Sequence, residues 1–261
     1  MQDLSSLQGS ESSDEGAQAW AIPFADMMTL LLTLFILLLV ILKESEKFVD
    51  RQINLLLQET YEQLDEKIVN ENVSIERVTK GIQITLRGNL FQSMKANVNE
   101  NYVPIIKEIS KIIENCRLFN VKNSKQYSSL ISFLDGSNQE LNVEIRCEGH
   151  TDDAILPSQS AYRNNWELSS ARSLKVVNIM NDASSISEKY FSYNGYGEFR
   201  PIIDVSGIDD FQKKKQARAY NRRVEIYLDA FARPKTRSSE DEFLKMMDEK
   251  FKKPEDISTR N

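Results

Sequence analysis

Two sets of residues in this 261-residue chain have the types and spacing to do chemistry. The first is a carboxylate inside an apolar run. Residues 20–42, W-A-I-P-F-A-D-M-M-T-L-L-L-T-L-F-I-L-L-L-V-I-L, hold Asp26 with Thr29 and Thr33 after it. Ionisation is costly within a bilayer, and a carboxylate placed there is a functional-site hypothesis by default. On a helix these three positions share one face, a polar stripe suited to carrying an ion. The plainer alternative is a shallow Asp26, solvated by headgroups or capping the helix. The second set is four stretches in the carboxyl-terminal half. G-H-T-D ends at Asp152, N-W-E-L-S-S-A-R contains Asn165 and Arg172, G-Y-G-E-F-R-P follows, and N-R-R-V-E-I carries Arg222 and Arg223. An Asp at a strand end and an Arg two turns along the next helix can face one another across a pocket and grip a zwitterion. The carboxylate then pairs with an ammonium, and the guanidinium binds a carboxylate in bidentate fashion. The free amino-acid end of a peptide cross-bridge has that charge pair. The alternative is that Asp152 caps a loop or helix and Arg172 forms a surface ion pair.

Other chemistry is disfavoured by what accompanies these residues. His150 is the one histidine, which rules out a histidine-rich metal site, and it reads as a strand-end packing residue. No nucleophile or metal cluster sits beside it, and G-Y-G-E lacks the strand–loop–helix context that phosphate cradling needs. No enzyme activity, metal or organic cofactor is therefore expected. Cys116 and Cys147 are too few for a disulfide framework and are expected as free thiols. The net charge of −6 argues against a nucleic-acid partner, which needs a basic face.

The elements that must position these residues follow from periodicity. Residues 1–19 are polar and acidic and predict a disordered tail. Residues 20–42 exceed the ~20 apolar residues of a membrane-spanning helix. No Lys or Arg precedes them and no small-residue cleavage site follows, so a retained anchor is expected rather than a signal peptide. Pro23 fits a first helical turn, and Trp20 suits the membrane interface. Lys43, Lys47 and Arg51 on the carboxyl side would, by the positive-inside rule, put that side in the cytoplasm, although long domains translocate largely regardless of charge. Residues 43–71 form a linker helix in which Leu57, Tyr61, Leu64 and Ile68 make a short apolar seam, for a two-helix stalk or for packing on the same chain.

Residues 72–230 have a mixed α/β texture. A hairpin turns at Lys80–Gly81, and a helix carries Ile105, Ile106, Ile109, Ile112 and Ile113. Residues 117–140 read as a polar, irregular insertion. A strand over 141–150 directs Val143, Ile145 and Cys147 to one face. A helix then presents Leu168, Leu174, Val177 and Met180 to the core, followed by a strand through Y-F-S-Y-N-G and a last one through R-R-V-E-I-Y-L. Residues 231–261 are charge-dense and read as solvated helix or disorder. The expected fold class is α/β: a single amino-terminal transmembrane helix followed by a compact α/β sandwich.

The block from Gly149 to Leu228 resembles the OmpA-like peptidoglycan-binding domain, and its wording, G-H-T-D, N-W-E-L-S-S-A-R, G-Y-G-E-F-R-P and N-R-R-V-E-I, resembles the MotB branch. The stretch W-x-I-P-F-A-D-M-M-T-L-L-L is similar to the MotB membrane helix. The resemblance implies a homodimer inside a pentamer of a polytopic MotA-like subunit (a 5:2 assembly), with ion flow turning the pentamer while the folded domain grips peptidoglycan. It implies that Asp26 carries H⁺ or Na⁺ along a path lined by Thr29 and Thr33. It further implies that Asp152 and Arg172, helped by Asn165 and Arg222, hold a diaminopimelate-type group, and that residues 44–60 are a plug. The implied location is the bacterial inner membrane, amino terminus cytoplasmic and carboxyl-terminal domain periplasmic, and the implied work is torque for flagellar motility. An acidic amino terminus, a long insertion and a short linker depart from flagellar members and fit the ZorB-like subunit of Zorya anti-phage motors. A passive OmpA-class wall anchor is the third reading.

Overall fold

The computed structural model describes residues 11–92, 94–121, 124–235 and 247. The first half of the expected 1–19 tail and most of the 231–261 tail lie outside the described residues. The chain divides into two units, Met1–Arg51 and Gln52–Asn261.

In the first unit, helix α1 (Glu11–Lys67) begins inside the stretch expected to be a disordered tail. Pro23 therefore sits within the helix rather than in its first turn. Its missing N–H and its ring remove one backbone bond, a defect that membrane helices tolerate because nearby groups re-satisfy the freed carbonyl. The helix is long and apolar enough to cross a membrane. Every side chain from Trp20 to Leu42 is exposed. A helix apolar all round needs an apolar surrounding, which a bilayer supplies.

The second unit opens on the carboxyl-terminal turns of α1. Ile53, Leu56, Leu57, Thr60 and Leu64 fall on one helical face and are buried, while Tyr61 and Ile68 are only half-buried. Glu59 pairs with Arg117 at 2.8 Å and accepts from Gln126 at 3.3 Å. The seam thus packs on its own chain, and the folded unit starts about 20 residues before the expected boundary at residue 72. Strands β1 (Val73–Val78) and β2 (Gly81–Leu86) form the expected hairpin, with the turn on Thr79 and Lys80. Helix α2 (Val103–Asn115) buries Ile106, Ile109, Ile112 and Ile113. The stretch expected to be an irregular insertion is instead packed: a 3₁₀ turn (Lys125–Tyr127) leads into α3 (Ser128–Gly136), and Leu118, Val121, Tyr127, Leu130 and Leu134 are buried. Its apolar residues are spaced for a helix, but the polar ones between them mask the period.

Strand β3 (Gln139–His150), helix α4 (Asn165–Ala183) and strand β4 (Phe191–Gly195) form a β–α–β unit with β3 and β4 parallel. Helix α5 (Phe211–Asn221) and strand β5 (Arg223–Pro234) complete the chain. β5 extends through residues 231–234, where a solvated tail is expected, because residues 139–142 of β3 provide a strand to pair with. The sheet order is β1-β2-β5-β3-β4. Val224, Ile226 and Leu228 of β5 and Val143, Ile145 and Cys147 of β3 alternate onto one buried face, against which α4 packs, with α2 packed on α4. The buried positions of α4 are Asn165, Leu168, Ser169, Arg172, Ser173, Val176, Val177 and Met180; Leu174, expected in the core, is 36% exposed. The 3.6-residue period runs from Leu168 through Arg172 to Val176, so a cation occupies a place on the apolar face. Cys116 and Cys147 are both free and buried, and burial pushes the Cys147 thiol up to about 12.

Candidate functional site

The site lies where β3 ends and α4 begins. Gly149 lets them meet, because a Cβ there would collide with the Ser169 carbonyl; Gly195 on neighbouring β4 makes the same approach against Ser170. The helix start is fixed by its cap: the Asn164 side chain accepts from the Glu167 N–H at 3.0 Å, and the Glu167 carboxylate reaches back to the Arg163 N–H at 2.8 Å. Asn165 then donates to the carbonyls of Ala154 at 3.1 Å and Asp152 at 3.4 Å. It holds the loop that presents Asp152, which is a positioning role.

Asp152, Asn165, Arg172 and Arg222 all line one cleft of about 250 Å³. Asp152 and Arg172 thus line the same cleft, while the ion pair inside it is made by Arg222. Asp152 Oδ2 accepts from Arg222 Nη1 at 2.6 Å, and its Oδ1 accepts from the Ala154 N–H at 3.2 Å. Beside it, Arg218 grips Asp153 through two parallel bonds of 2.7 and 2.8 Å. The two pairs fasten the loop after β3 to α5 and the residue following it. Arg172 donates from Nε to the Lys95 carbonyl at 3.1 Å and lies 4.8 Å over the Phe91 ring. Only 3% of it is exposed. Burial pushes its guanidinium down to about 10, against the attraction of Asp152; Arg222 pushes the same way as burial. No carboxylate lies within 4.0 Å of it among the described residues. A buried cation that is held in place and lacks a counter-ion is electrostatically suited to receive an anion.

Sequence reasoning missed the opposite wall, built from Gly88, Asn89, Phe91 and Met94. Gly88 at φ +84° turns the chain there, and Met94 adopts φ 57°, uncommon for a residue with a side chain. The one local signal is the Gly88–Asn89 dipeptide, a turn signal that follows the β2 pattern. Ile155, 93% exposed, stands at the rim.

The other face of the sheet carries a polar cluster. His150, 2% exposed, stacks on Tyr196 with ring centroids 5.5 Å apart. Its Nε2 lies 3.7 Å from Glu225 Oε2, too far for a hydrogen bond, and neither nitrogen has a hydrogen-bond partner among the described residues. Glu148, His150 and Glu225 offer ligand atoms within 4.8 Å of one another. Arg146 already pairs with Glu148 at 2.7 Å, and Arg223 with Glu225, so the negative charge that a metal ion would need is largely neutralised.

In the first unit, the Thr29 hydroxyl donates to the Asp26 carbonyl and the Thr33 hydroxyl to the Leu30 carbonyl, each at 2.8 Å. Both bond their own helix, so neither hydroxyl is directed at the Asp26 carboxylate.

Two family models match the chain: membrane MotB of the proton-channel complex MotA/MotB over residues 8–54, and the OmpA family over residues 118–215. Motility protein B of Bacillus subtilis is 25% identical over 166 residues, which cover 63% of this chain and 51% of that protein. The chain thus spans about half of that relative's length. Zorya protein ZorB of Escherichia coli is 25% identical over 235 residues, covering 88% of each. A crystal structure of a MotB-like protein from Desulfovibrio vulgaris superposes with a TM-score of 0.51 at 18% identity, covering 71% of this chain and 99% of that one, a likeness of fold. The chain is thus similar to MotB in its membrane segment and to the OmpA family in its sheet domain.

Proposed function

We propose that this chain, with its MotB-like membrane segment and OmpA-family domain, is the peptidoglycan-anchored subunit of an ion-driven rotary motor. The observation that carries the reading is the convergence of Asp152, Arg172 and Arg222 on one cleft, in a chain that also places Asp26 in an apolar helix. In the cleft, Asp152 takes the ammonium of a diaminopimelate-type group and Arg172, the cation without a counter-ion, takes its carboxylate. Arg222 keeps Asp152 aimed, and Asn165 holds the loop. In the membrane, Asp26 is neutralised and released by H⁺ or Na⁺ along the face it shares with Thr29 and Thr33. Each charge crossing the field gains about 2.3 kcal/mol per 100 mV, and torque requires one part held still, which wall binding provides.

The assembly that fits is a homodimer within a pentamer of a MotA-like polytopic subunit. It would sit in the bacterial inner membrane, with the amino terminus cytoplasmic and the sheet domain periplasmic. The plug role of residues 44–60 belongs to the same reading; residues 52–60 of it lie in the folded unit.

Full-length protein in detergent should co-sediment with purified peptidoglycan, and Asp152→Asn should release it at least about tenfold more readily; equal retention of the variant would overturn wall binding. Asp26→Asn should stop ion flux in membranes that also hold the polytopic subunit while sparing sedimentation. A second reading, an anti-phage motor, is favoured by the match to ZorB along 88% of both chains. Loss of swimming or loss of phage resistance in the Asp26→Asn strain tells the two apart.

A further inference from the structure

Beside the cleft, two large aromatic side chains lie in water. Trp166 is 47% exposed and Phe199 61%, and their rings stack 5.1 Å apart at 25°. Apolar side chains scattered singly over a surface need no explanation, but a stacked pair of this size does. Gly197, at φ +56°, tucks the turn after β4 against the start of α4, where a Cβ would sit 3.4 Å from the Trp166 nitrogen and 3.5 Å from the Phe199 ring. The Gly197 N–H donates to Ser169 Oγ at 2.9 Å, and the Gly197 carbonyl accepts from the Thr151 N–H at 2.9 Å. Thr151 and Asn165, the residue preceding Trp166, both line the cleft. The turn that leads into Phe199 is therefore tied through Gly197 to Thr151 in the cleft wall and to Ser169 of α4, one turn from Trp166.

We propose that Trp166 and Phe199 form a sugar-stacking platform that takes an amino-sugar ring of the glycan whose peptide the cleft holds. The axial C–H face of a pyranose is apolar and flat and packs on an aromatic face, while its hydroxyl edges stay in water. Size favours this occupant over a protein. Two half-exposed aromatics offer on the order of 200 Å², against the roughly 1,000 Å² that a specific protein interface needs. Charge agrees: Arg163 and Glu167, on either side of Trp166 in sequence, are exposed charged side chains, a hydrated edge suited to the hydroxyls of a sugar ring. The proposal deepens the wall-binding reading and rests on it, since the peptide in the cleft is what brings the sugar to the platform.

The test uses full-length protein in detergent and three ligands: the stem peptide alone, the same peptide on its disaccharide, and an N-acetylglucosamine oligomer without peptide. The disaccharide-peptide should bind about tenfold more tightly than the peptide. Trp166→Ala should abolish that gain and leave affinity for the peptide alone unchanged. Phe199→Ser, at a more exposed position, should do the same with an unchanged melting temperature. Equal affinity of the wild type for the two peptide ligands, or a gain that survives both substitutions, overturns the platform. Failure of the wild type to bind any peptide would instead count against the cleft, and the oligomer then decides. Oligomer binding lost in Trp166→Ala upholds the platform, and no oligomer binding overturns it.

Discussion

Replacing Arg172 with Met should separate binding from stability. Burial lowers the guanidinium from its ordinary value to about 10. The sign follows from that direction: the folded state holds this charge less willingly than the unfolded chain does. At pH 7 the group is charged in both states, so the fall is a cost to folding of roughly 3 kcal/mol. Met fills most of the volume and removes the charge. It also removes the hydrogen bond to the Lys95 carbonyl, a charge-assisted contact worth about 1.5–3 kcal/mol, and the contact with the Phe91 ring, worth about 1 kcal/mol. Gain and loss nearly cancel, so unfolding free energy should change by no more than about 1 kcal/mol, which denaturant titration reads directly. Binding should respond differently. Loss of a buried, bidentate partner for a carboxylate costs about 2–4 kcal/mol, roughly 30- to 1,000-fold in Kd by calorimetry with a diaminopimelate-bearing stem peptide. The reasoning is refuted if Arg172→Met keeps its affinity and loses more than about 3 kcal/mol of stability, which would make Arg172 a structural residue.

Two further outcomes are expected. Glu225 is buried, which opposes ionisation, yet bonds from Tyr227 at 2.7 Å and from Arg223, with His150 close by, hold its carboxyl down at about 2. A depressed carboxyl contributes stability that is present above about pH 4.3 and lost as pH falls toward 2, so Glu225→Gln should cost about 3–5 kcal/mol at pH 7, a gap that narrows through that window in denaturant titrations at stepped pH. Arg218→Ala removes an ion pair whose partners are 34% and 38% exposed, so stability should fall by less than about 1 kcal/mol. Stem-peptide affinity should nevertheless drop about three- to tenfold as the Asp152 loop loosens, and an unchanged Kd would show that Arg222 alone holds that loop.

The sequence by itself determined the membrane helix and most of the sheet domain, since both rest on local signals: an unbroken apolar run for the span, and period-2 and period-3.6 patterns for β3, β5, α2 and α4. It also marked Asp152, Asn165 and Arg222, because each sits in a short polar stretch at the end of a patterned element, and Arg172, as a charge two turns into the α4 pattern. Where the pattern is weak it was silent. The Q-K-K-K-Q of α5 has almost nothing apolar to betray a helix that buries only Ala217 and Asn221, and the packed α3 region is masked by its polar residues. Tertiary structure alone decided who pairs with whom. Arg222, 70 residues away in sequence, takes Asp152, and Arg172 reaches the carbonyl of Lys95, 77 residues away. The Phe91 wall, the Gly149 contact with α4 and the stack of Trp166 on Phe199 likewise join residues that no local period relates. Periodicity reports which side of an element faces an apolar environment; which partner meets it there depends on how the elements pack, and that information is spread over the whole chain.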